Sequence, residues 1–498
     1  MDFVQQILLP ITDINLILLV AAGTLTGILI GAIPGLSVTM TVALILSLTY
    51  SWDLLPALAV MIGVYFGGVF GGSRPAILLN IPGSPSSVAT SFDGYPLASN
   101  GEAKMALTLT TLFSFVGGII GVTVLAFAAP LVSSIAIQFG QRDYFLLAML
   151  GLLLVGGLSK GSLAKGIFAA GAGVILGLVG MDSIGGGTRF TFGSLQLMNG
   201  IDFVIAILGL FGLAEVLYQL RTINKKSITA TLKKMAFPPI KFILKFLPLS
   251  IRVSVLGVLV GALPGAGGEI AALLSYDHAK QSVKKPSRPF GEGAYEGVIA
   301  PETANNAAIG GALIPLLTLG IPGDAVTAIF IGALFIHGLQ PGPLLMEQSA
   351  DVFGVMVGAS LLANIFLLIF GLLIVNIFIK VIKIPKQVLY PIIIVITIIG
   401  AYAINNSLTD VYWMLGFGIV GLFMKIHQFP VAPMVLGIIL GPLLETSFRR
   451  AYISSQGTSD FLLGFVNSPI TIILLIFFLF TILSQTNLLP RFKKKKSS

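Results

Sequence analysis

Long apolar runs, broken by short polar stretches and by glycine and proline, set the rhythm of this chain. Residues 14–33 are apolar up to Pro34-Gly35, and a second run follows from Leu36 to Tyr50. Each is close to the ~20 residues a helix needs to cross a bilayer. The Pro-Gly pair interrupts them, giving either one broken helix or a hairpin with its tip at Pro34–Ser37. Residues 54–70 predict another span, ending in the pairs Gly67-Gly68 and Gly71-Gly72, and short apolar pieces then flank Ile81-Pro82-Gly83. From Asp93-Gly94-Tyr95-Pro96 to Lys104 the chain is polar and turn-rich, which predicts a loop. Spans are expected at residues 105–138, 143–158, 164–181 and 201–219, with a glycine-rich polar loop at Asp182–Gly193. After a lysine-rich stretch come Gly257–Gly265, a segment to Lys280, a basic loop, a polar patch at Gly291–Asn306 and the apolar run Gly310–His337. Further spans are expected at 351–381, 387–404, 410–424, 429–446 and 469–486.

The interruptions are duplicated. Gly71, Pro75 and Ile81-Pro82-Gly83 recur as Gly311, Pro315 and Ile321-Pro322-Gly323, 240 residues later. Upstream, Gly27, Gly31, Pro34 and Gly35 recur as Gly257, Gly261, Pro264 and Gly265, 230 residues later. Helix-breaking residues in corresponding positions of two apolar halves mark the binding site of a membrane transporter. The pattern predicts an all-α polytopic membrane protein with about 10–12 crossings, in two homologous repeats with discontinuous helices or helical hairpins. The repeats can be parallel or inverted, and discontinuous helices meeting at the midplane favour inverted ones. The expected organisation is a first repeat at 1–220, a basic amphipathic linker at 221–250, a second repeat at 251–486 and a basic tail at 487–498.

Composition supports this class. Of 498 residues, 56% are hydrophobic and 10% charged, against about 25% charged in soluble domains, and the mean hydropathy is +0.99. The runs are too long and continuous for the alternating strands of an outer-membrane barrel. The formal charge of +9 is concentrated at Lys225–Lys245, Lys280–Arg288 and Arg491–Lys496. Beside apolar spans such clusters read as cytoplasmic loops, not as a nucleic-acid surface, and they place the carboxyl tail in the cytoplasm. The amino terminus has no basic segment or cleavage site, so the first run is expected to be retained. There is no cysteine, which excludes disulfides and thiolate metal sites. His278, His337 and His427 lack metal-ligand spacing, and no Gly-x4-Gly-Lys-Ser/Thr motif for ATP occurs.

The candidate chemistry lies at the breaks. At Asn80-Ile81-Pro82-Gly83-Ser84-Pro85-Ser86-Ser87, prolines and glycine remove backbone hydrogen bonds where small polar side chains are offered. Such backbone is tolerated in a membrane only inside protein or along a wet cavity. A helix restarting at Ser84 aims its positive end at the occupant, which suits a carboxylate. The second copy, Thr318 to Thr327, carries Asp324 in place of Ser84. Asp324 could cap the restarted helix or ligand a cation. Asn80, Gly83, Ser84, Ser86, Ser87, Thr318, Gly323 and Thr327 are therefore substrate-site candidates. Asp324, Asn305, Asn306 and Glu302 are candidates for a coupling ion, since carboxylate and amide oxygens suit Na⁺. Pro34, Gly35, Pro82, Pro264, Gly265 and Pro322 are the expected breaks or hinges. Glu296 reads as a solvated loop end. Arg74, inside an apolar run, can pair either a substrate carboxylate or an acid of the chain. A different reading is an intramembrane enzyme acting on a lipid-linked substrate, for which Glu296–Glu302 is the available acid pair.

At these residues the chain resembles the large membrane subunit (TctA) of the tripartite tricarboxylate transporters. The resemblance rests on Gly27–Ser37, Gly71–Pro96, Pro264–Tyr276, Glu296–Gly311 and Ile314–Leu345. Ser47 departs from it, standing where the family often has proline, and the lysine-rich middle and the tail lie outside it. The resemblance implies a permease for organic anions such as citrate in the cytoplasmic membrane of a bacterium or archaeon. It further implies a smaller membrane subunit, an extracytoplasmic solute-binding protein and coupling to Na⁺ or H⁺, with no other cofactor and no catalysis.

Overall fold

Apolar runs become helices, and most stop within a few residues of a glycine, a proline or a capping side chain. The computed structural model describes residues 3–33, 36–158, 162–182, 184–221, 238–374, 386–455 and 457–485. The first stretch of chain forms α1 (Phe3–Thr12), α2 (Ile14–Gly31), α3 (Val38–Leu48), α4 (Leu54–Gly71), α5 (Ser73–Leu79), a 3₁₀ turn (Pro85–Ser87), α6 (Val88–Leu97) and α7 (Ala103–Ala136). Next come α8 (Gln141–Leu158), α9 (Leu163–Gly177), the short strands β1 (Gly180–Met181) and β2 (Thr188–Arg189), α10 (Phe203–Ile207), a π segment (Leu208–Leu213) and α11 (Ala214–Leu220). The chain continues with α12 (Ile240–Gly261), α13 (Gly267–Ser282), α14 (Tyr295–Leu319), α15 (Ala325–Ile336), α16 (Leu345–Gln348) and α17 (Ala350–Leu373). It ends with α18 (Lys386–Asn405), α19 (Leu408–Ile426), α20 (Val431–Ile453), α21 (Thr458–Leu463) and α22 (Pro469–Gln485). Among the described residues eight helical segments are long and apolar enough to cross a membrane, and a bent pair at Thr458–Leu483 makes a ninth if counted as one span. Four shorter apolar helices add to these, so the protein is an all-α polytopic membrane protein.

The helices form two compact units, Met1–Ala136 with Val204–His427, and Ile137–Phe203 with Gln428–Ser498. The larger unit is built around α14, buried from Glu296 to Thr318. A helix buried on every side is an interior axis, and α7, α12, α13 and α6 pack on it. Gly27 and Gly31 do not break α2, as their place in the repeated pattern suggested. They lie inside it, where an added Cβ would stand 2.4 Å from Val64 O and 2.5 Å from Gly68 O of α4. Gly257 and Gly261 do the same for α12, at 2.4 Å from Ala304 O and 2.3 Å from Ala308 O of α14. Small residues that let helix backbones touch replace the hydrophobic effect as the source of cohesion inside a bilayer. In the smaller unit α20 packs on α9 and α8, and α22 packs on α8. There Asp182 ties the β1–β2 hairpin to α20 through Arg189 (2.6 Å) and Arg449 (2.7 Å).

Three expectations change. The stretch 93–104 is not a loop but the end of α6 and an irregular helical turn bent at Gly101 (φ 86°). Its polar groups are engaged inside protein: the buried Asp93 accepts from the backbone N–H groups of Gly291, Gly293 and Ala294, each at 2.8 Å. Residues 240–250, expected in the basic linker, form the first turns of α12, whereas 222–237 and 486–498 lie outside the described residues. Glu296 is buried at the start of α14, accepting from Ser287 Oγ at 2.6 Å. Asp93 and Glu296 are polar because they meet other chain and not water, whereas Lys241 and Lys245 on α12 stay exposed.

Candidate functional site

Both Ile-Pro-Gly triplets separate helices, and the local geometry at the two is the same up to the proline. α5 ends on Asn80 in the left-handed region (φ 56°), and α14 ends on Gly320 likewise (φ 70°). Ile81 N–H then donates to Pro75 O at 3.3 Å, and Ile321 N–H to Pro315 O at 3.2 Å. Pro82 and Pro322 follow outside the helices, where neither removes a helical bond. Gly83 N–H donates to Gly72 O at 3.0 Å, while Gly323 O accepts from Gly265 N–H at 2.7 Å. Either glycine is walled in by backbone: a Cβ on Gly83 would meet Gly31 O at 2.7 Å, and one on Gly323 would meet Gly261 O at 2.7 Å. Pro264 and Gly265 (φ 76°) lie between α12 and α13, and Pro34 and Gly35 lie outside the described residues.

The helix starts that follow differ chemically. At the second, Asp324 and Thr327 form a capping box: Thr327 N–H donates to Asp324 Oδ1 (2.8 Å) and Asp324 N–H to Thr327 Oγ1 (2.9 Å). The other carboxylate oxygen of Asp324 accepts from Tyr65 Oη on α4. At the first, Ser87 takes the place of Thr327, accepting from Ser84 N–H (3.2 Å) and donating to Ser84 O (2.7 Å). Among the described residues the Ser84 and Ser86 hydroxyls bond each other, Oγ to Oγ at 3.0 Å. A hydroxyl pair uses one proton between them and leaves one to offer. Thr318 Oγ1 donates back to Ile314 O at 2.8 Å.

α13 lies against both breaks: the helix packs on the 3₁₀ turn Pro85–Ser87, on α6 and on α14, with Tyr276 Oη donating to Asp93 Oδ2 of α6 at 3.0 Å. Gly267 (φ 54°) stands against Asp324, whose Cβ is 3.1 Å from the ideal Cβ position, and Gly268 stands against Asn305, whose Oδ1 is 2.1 Å from its own. Asn305 is 3% exposed, and among the described residues its amide makes no hydrogen bond. The site thus gathers a spare hydroxyl proton, a buried amide without partners, a carboxylate and the glycine backbone of a helix N-terminus, a region favourable to anions.

Glu302 and Asn306 lie one turn apart on α14 and face different partners. Glu302, 1% exposed, accepts from Thr90 Oγ1 (2.6 Å) on α6 and Ser114 Oγ (3.1 Å) on α7, with Arg74 Nη2 at 3.9 Å. Asn306 Nδ2 donates to Glu302 O at 3.0 Å, and among the described residues its buried Oδ1 has no partner.

The model of the tripartite tricarboxylate transporter TctA family matches residues 17–436 and so includes every residue placed above. The chain belongs to the TctA family. An uncharacterised 52.8 kDa protein in the TAR-I ttuC′ 3′ region of Agrobacterium vitis is 38% identical over 453 residues, 91% of this chain and 89% of that one. A second uncharacterised protein, in the TAR-II ttuC′ 3′ region of the same organism, is 41% identical over 219 residues, 44% of this chain and 89% of that one. No solved structure matches. Membership makes the chain a multi-pass membrane component of a tripartite transporter, which implies a transport protein working with partner subunits. Two residues of this TctA-family site escape sequence reasoning. Tyr65 is an isolated tyrosine in an apolar run, and Gly268 follows the repeated pattern without belonging to it.

Proposed function

We propose that the chain is the permease subunit of a binding-protein-dependent secondary transporter that takes up an organic carboxylate, a tricarboxylate such as citrate or a related anion. Uptake runs across the prokaryotic cytoplasmic membrane, coupled to Na⁺ or H⁺, with the carboxyl tail in the cytoplasm and the two halves arranged as inverted repeats. The substrate carboxylate is held by Ser84, Ser86 and Asn305 at the start of α13. The coupling ion is assigned to Asp324 with the amides beside it.

The observation that supports this reading best is that α13 packs on the first break while its start, Gly267-Gly268, stands against Asp324 and Asn305, with hydroxyl and amide groups left to offer. Unpaired polar groups inside a membrane protein are costly and mark ligand pathways. Alternating access follows if the hairpin α12–α13 and the segment α3–α4 move as bodies about the breaks. The enzyme reading loses its acid pair, since Glu296 and Glu302 engage separate partners, Ser287 and the Arg74–Thr90–Ser114 group.

The test uses the chain reconstituted with its two partner proteins in liposomes, labelled citrate outside and an imposed Na⁺ or H⁺ gradient. Ser86→Phe is expected to abolish gradient-driven uptake; uptake with unchanged affinity would remove the substrate assignment. Asp324→Asn is expected to uncouple uptake from the gradient, and full retention of cation dependence would remove the ion assignment.

A further inference from the structure

Among the described residues Arg74 is the one lysine or arginine that is buried, and it is fully so. Its guanidinium stacks on the Phe70 ring, 3.8 Å from the centroid. Of its five N–H groups, three are hydrogen-bonded, to Leu107 O (3.2 Å), Thr111 Oγ1 (3.3 Å) and Ser73 Oγ (3.0 Å). All three acceptors are neutral. Nε has no partner.

The charge is balanced by Glu302 without a hydrogen bond between them. The closest approach is 3.9 Å, whereas an arginine–carboxylate pair built for strength is forked, at about 2.7–2.9 Å. Both oxygens of Glu302 are satisfied by hydroxyls, from Thr90 and Ser114. Each ion is therefore solvated mainly by neutral groups, the Ser73 hydroxyl serving both, and the two can part with most of those partners kept. A buried pair of this kind adds little to stability over an apolar replacement, so its presence calls for another use.

We infer that Arg74 is the counter-ion for a second carboxylate of the substrate, and that Glu302 stands in for that carboxylate when the substrate is absent. This rests on the carboxylate reading above. A substrate with two or three negative charges cannot enter a buried site furnished only with hydroxyls and amides; it needs a buried cation, and Arg74 is available. Its chain position suits the role. Gly72, two residues earlier, packs directly against the Ser84 hydroxyl, an added Cβ there lying 2.4 Å from Oγ. Ser73, between them, holds the guanidinium. An anion with one carboxylate at Ser84–Ser86 and another reaching Arg74 would span the first break, whereas a monocarboxylate would use the first position alone. The arrangement selects for polycarboxylates.

The experiment measures binding to the full chain with its small membrane subunit in lipid nanodiscs, using citrate, succinate and acetate as probes. Arg74→Gln/Glu302→Gln removes both charges and keeps the volumes. Citrate and succinate affinity should fall about tenfold or more, as loss of a charge-assisted bond implies, with acetate affinity unchanged. Equal losses for all three probes, or none, would overturn the inference. Glu302→Gln alone removes the stand-in and should tighten citrate binding relative to acetate; citrate affinity that is unchanged or weaker also overturns it. This single substitution decides the matter where the double one gives no monodisperse protein. If the unaltered protein binds none of the three probes, the carboxylate reading itself fails and this inference goes with it.

Discussion

Gly268→Ala separates function from stability at the proposed site. The new methyl group would lie 2.1 Å from Asn305 Oδ1, against the 3.4–4 Å of ordinary contact, so the amide oxygen must move by more than an ångström. It can do so, because it is the end of a side chain and not backbone. The displaced rotamer costs about 0.5–1.5 kcal/mol. Alanine in place of glycine within a helix returns about 0.5–1 kcal/mol. The terms nearly cancel, so thermal unfolding in detergent should be almost unchanged. The carboxylate, by contrast, loses a properly placed N–H donor, and a hydrogen bond to a charged group contributes about 1.5–3 kcal/mol. Citrate affinity is therefore expected to fall about ten- to hundredfold, to the level of Asn305→Ala. Citrate affinity within about twofold of the unaltered protein would refute the placement of Asn305 at the substrate. A large loss of thermal stability would refute the claim that the amide can yield.

Tyr65→Phe removes the donor to Asp324 and should lower stability by about 1.5–3 kcal/mol; combined with Asp324→Asn in a double-mutant cycle, the effects should be strongly non-additive. Gly261→Leu places a Cβ 2.3 Å from Ala308 O, an immovable backbone atom. Forcing α12 away from α14 should exceed the ~1–3 kcal/mol of ordinary overpacking, seen as loss of monodisperse protein, and unaltered unfolding would contradict the packing. A hydrogen bond from Arg449 holds the Asp182 carboxyl well below the usual carboxylate range. A lowered folded value means its contribution is complete above the unfolded value of about 3.9 and is lost as pH falls through the folded one. Amide exchange of residues 180–189, measured by mass spectrometry, should thus show undiminished protection at pH 5, falling only in stronger acid. Protection lost between pH 6 and pH 5, well above that window, would contradict the ionic tie.

The sequence is most legible where physics acts locally. Apolar runs expected at 105–138, 143–158 and 387–404 appear as α7, α8 and α18 within a few residues. Ile81-Pro82-Gly83 and Ile321-Pro322-Gly323 announce where helices stop, because proline and glycine act on their own backbone. Polarity was misleading wherever its meaning depended on a distant partner. Asp93 looks like a turn residue until Gly291–Ala294 come to it from 198 residues away or more. Gly27 and Gly261 look like breaks until another helix arrives. Tyr65 had a signal: it precedes Asn305 by 240 residues, the offset that relates the breaks.

The manner in which α13 covers the first break, and α3 packs on α15, bears on how the protein is made. During synthesis α4, α5 and the turn at Pro85–Ser87 enter the membrane long before α13 and α14 exist. Until nearly two hundred more residues have been added, from Ser87 to Ser282, the serines at the break lack their cover, in a solvent where polar groups are costly. The first half must wait, sheltered by the insertion machinery or by lipid headgroups, for a partner still on the ribosome. A translational pause or truncation in the lysine-rich middle would strand the chain at its most vulnerable length, and quality-control proteolysis should act there.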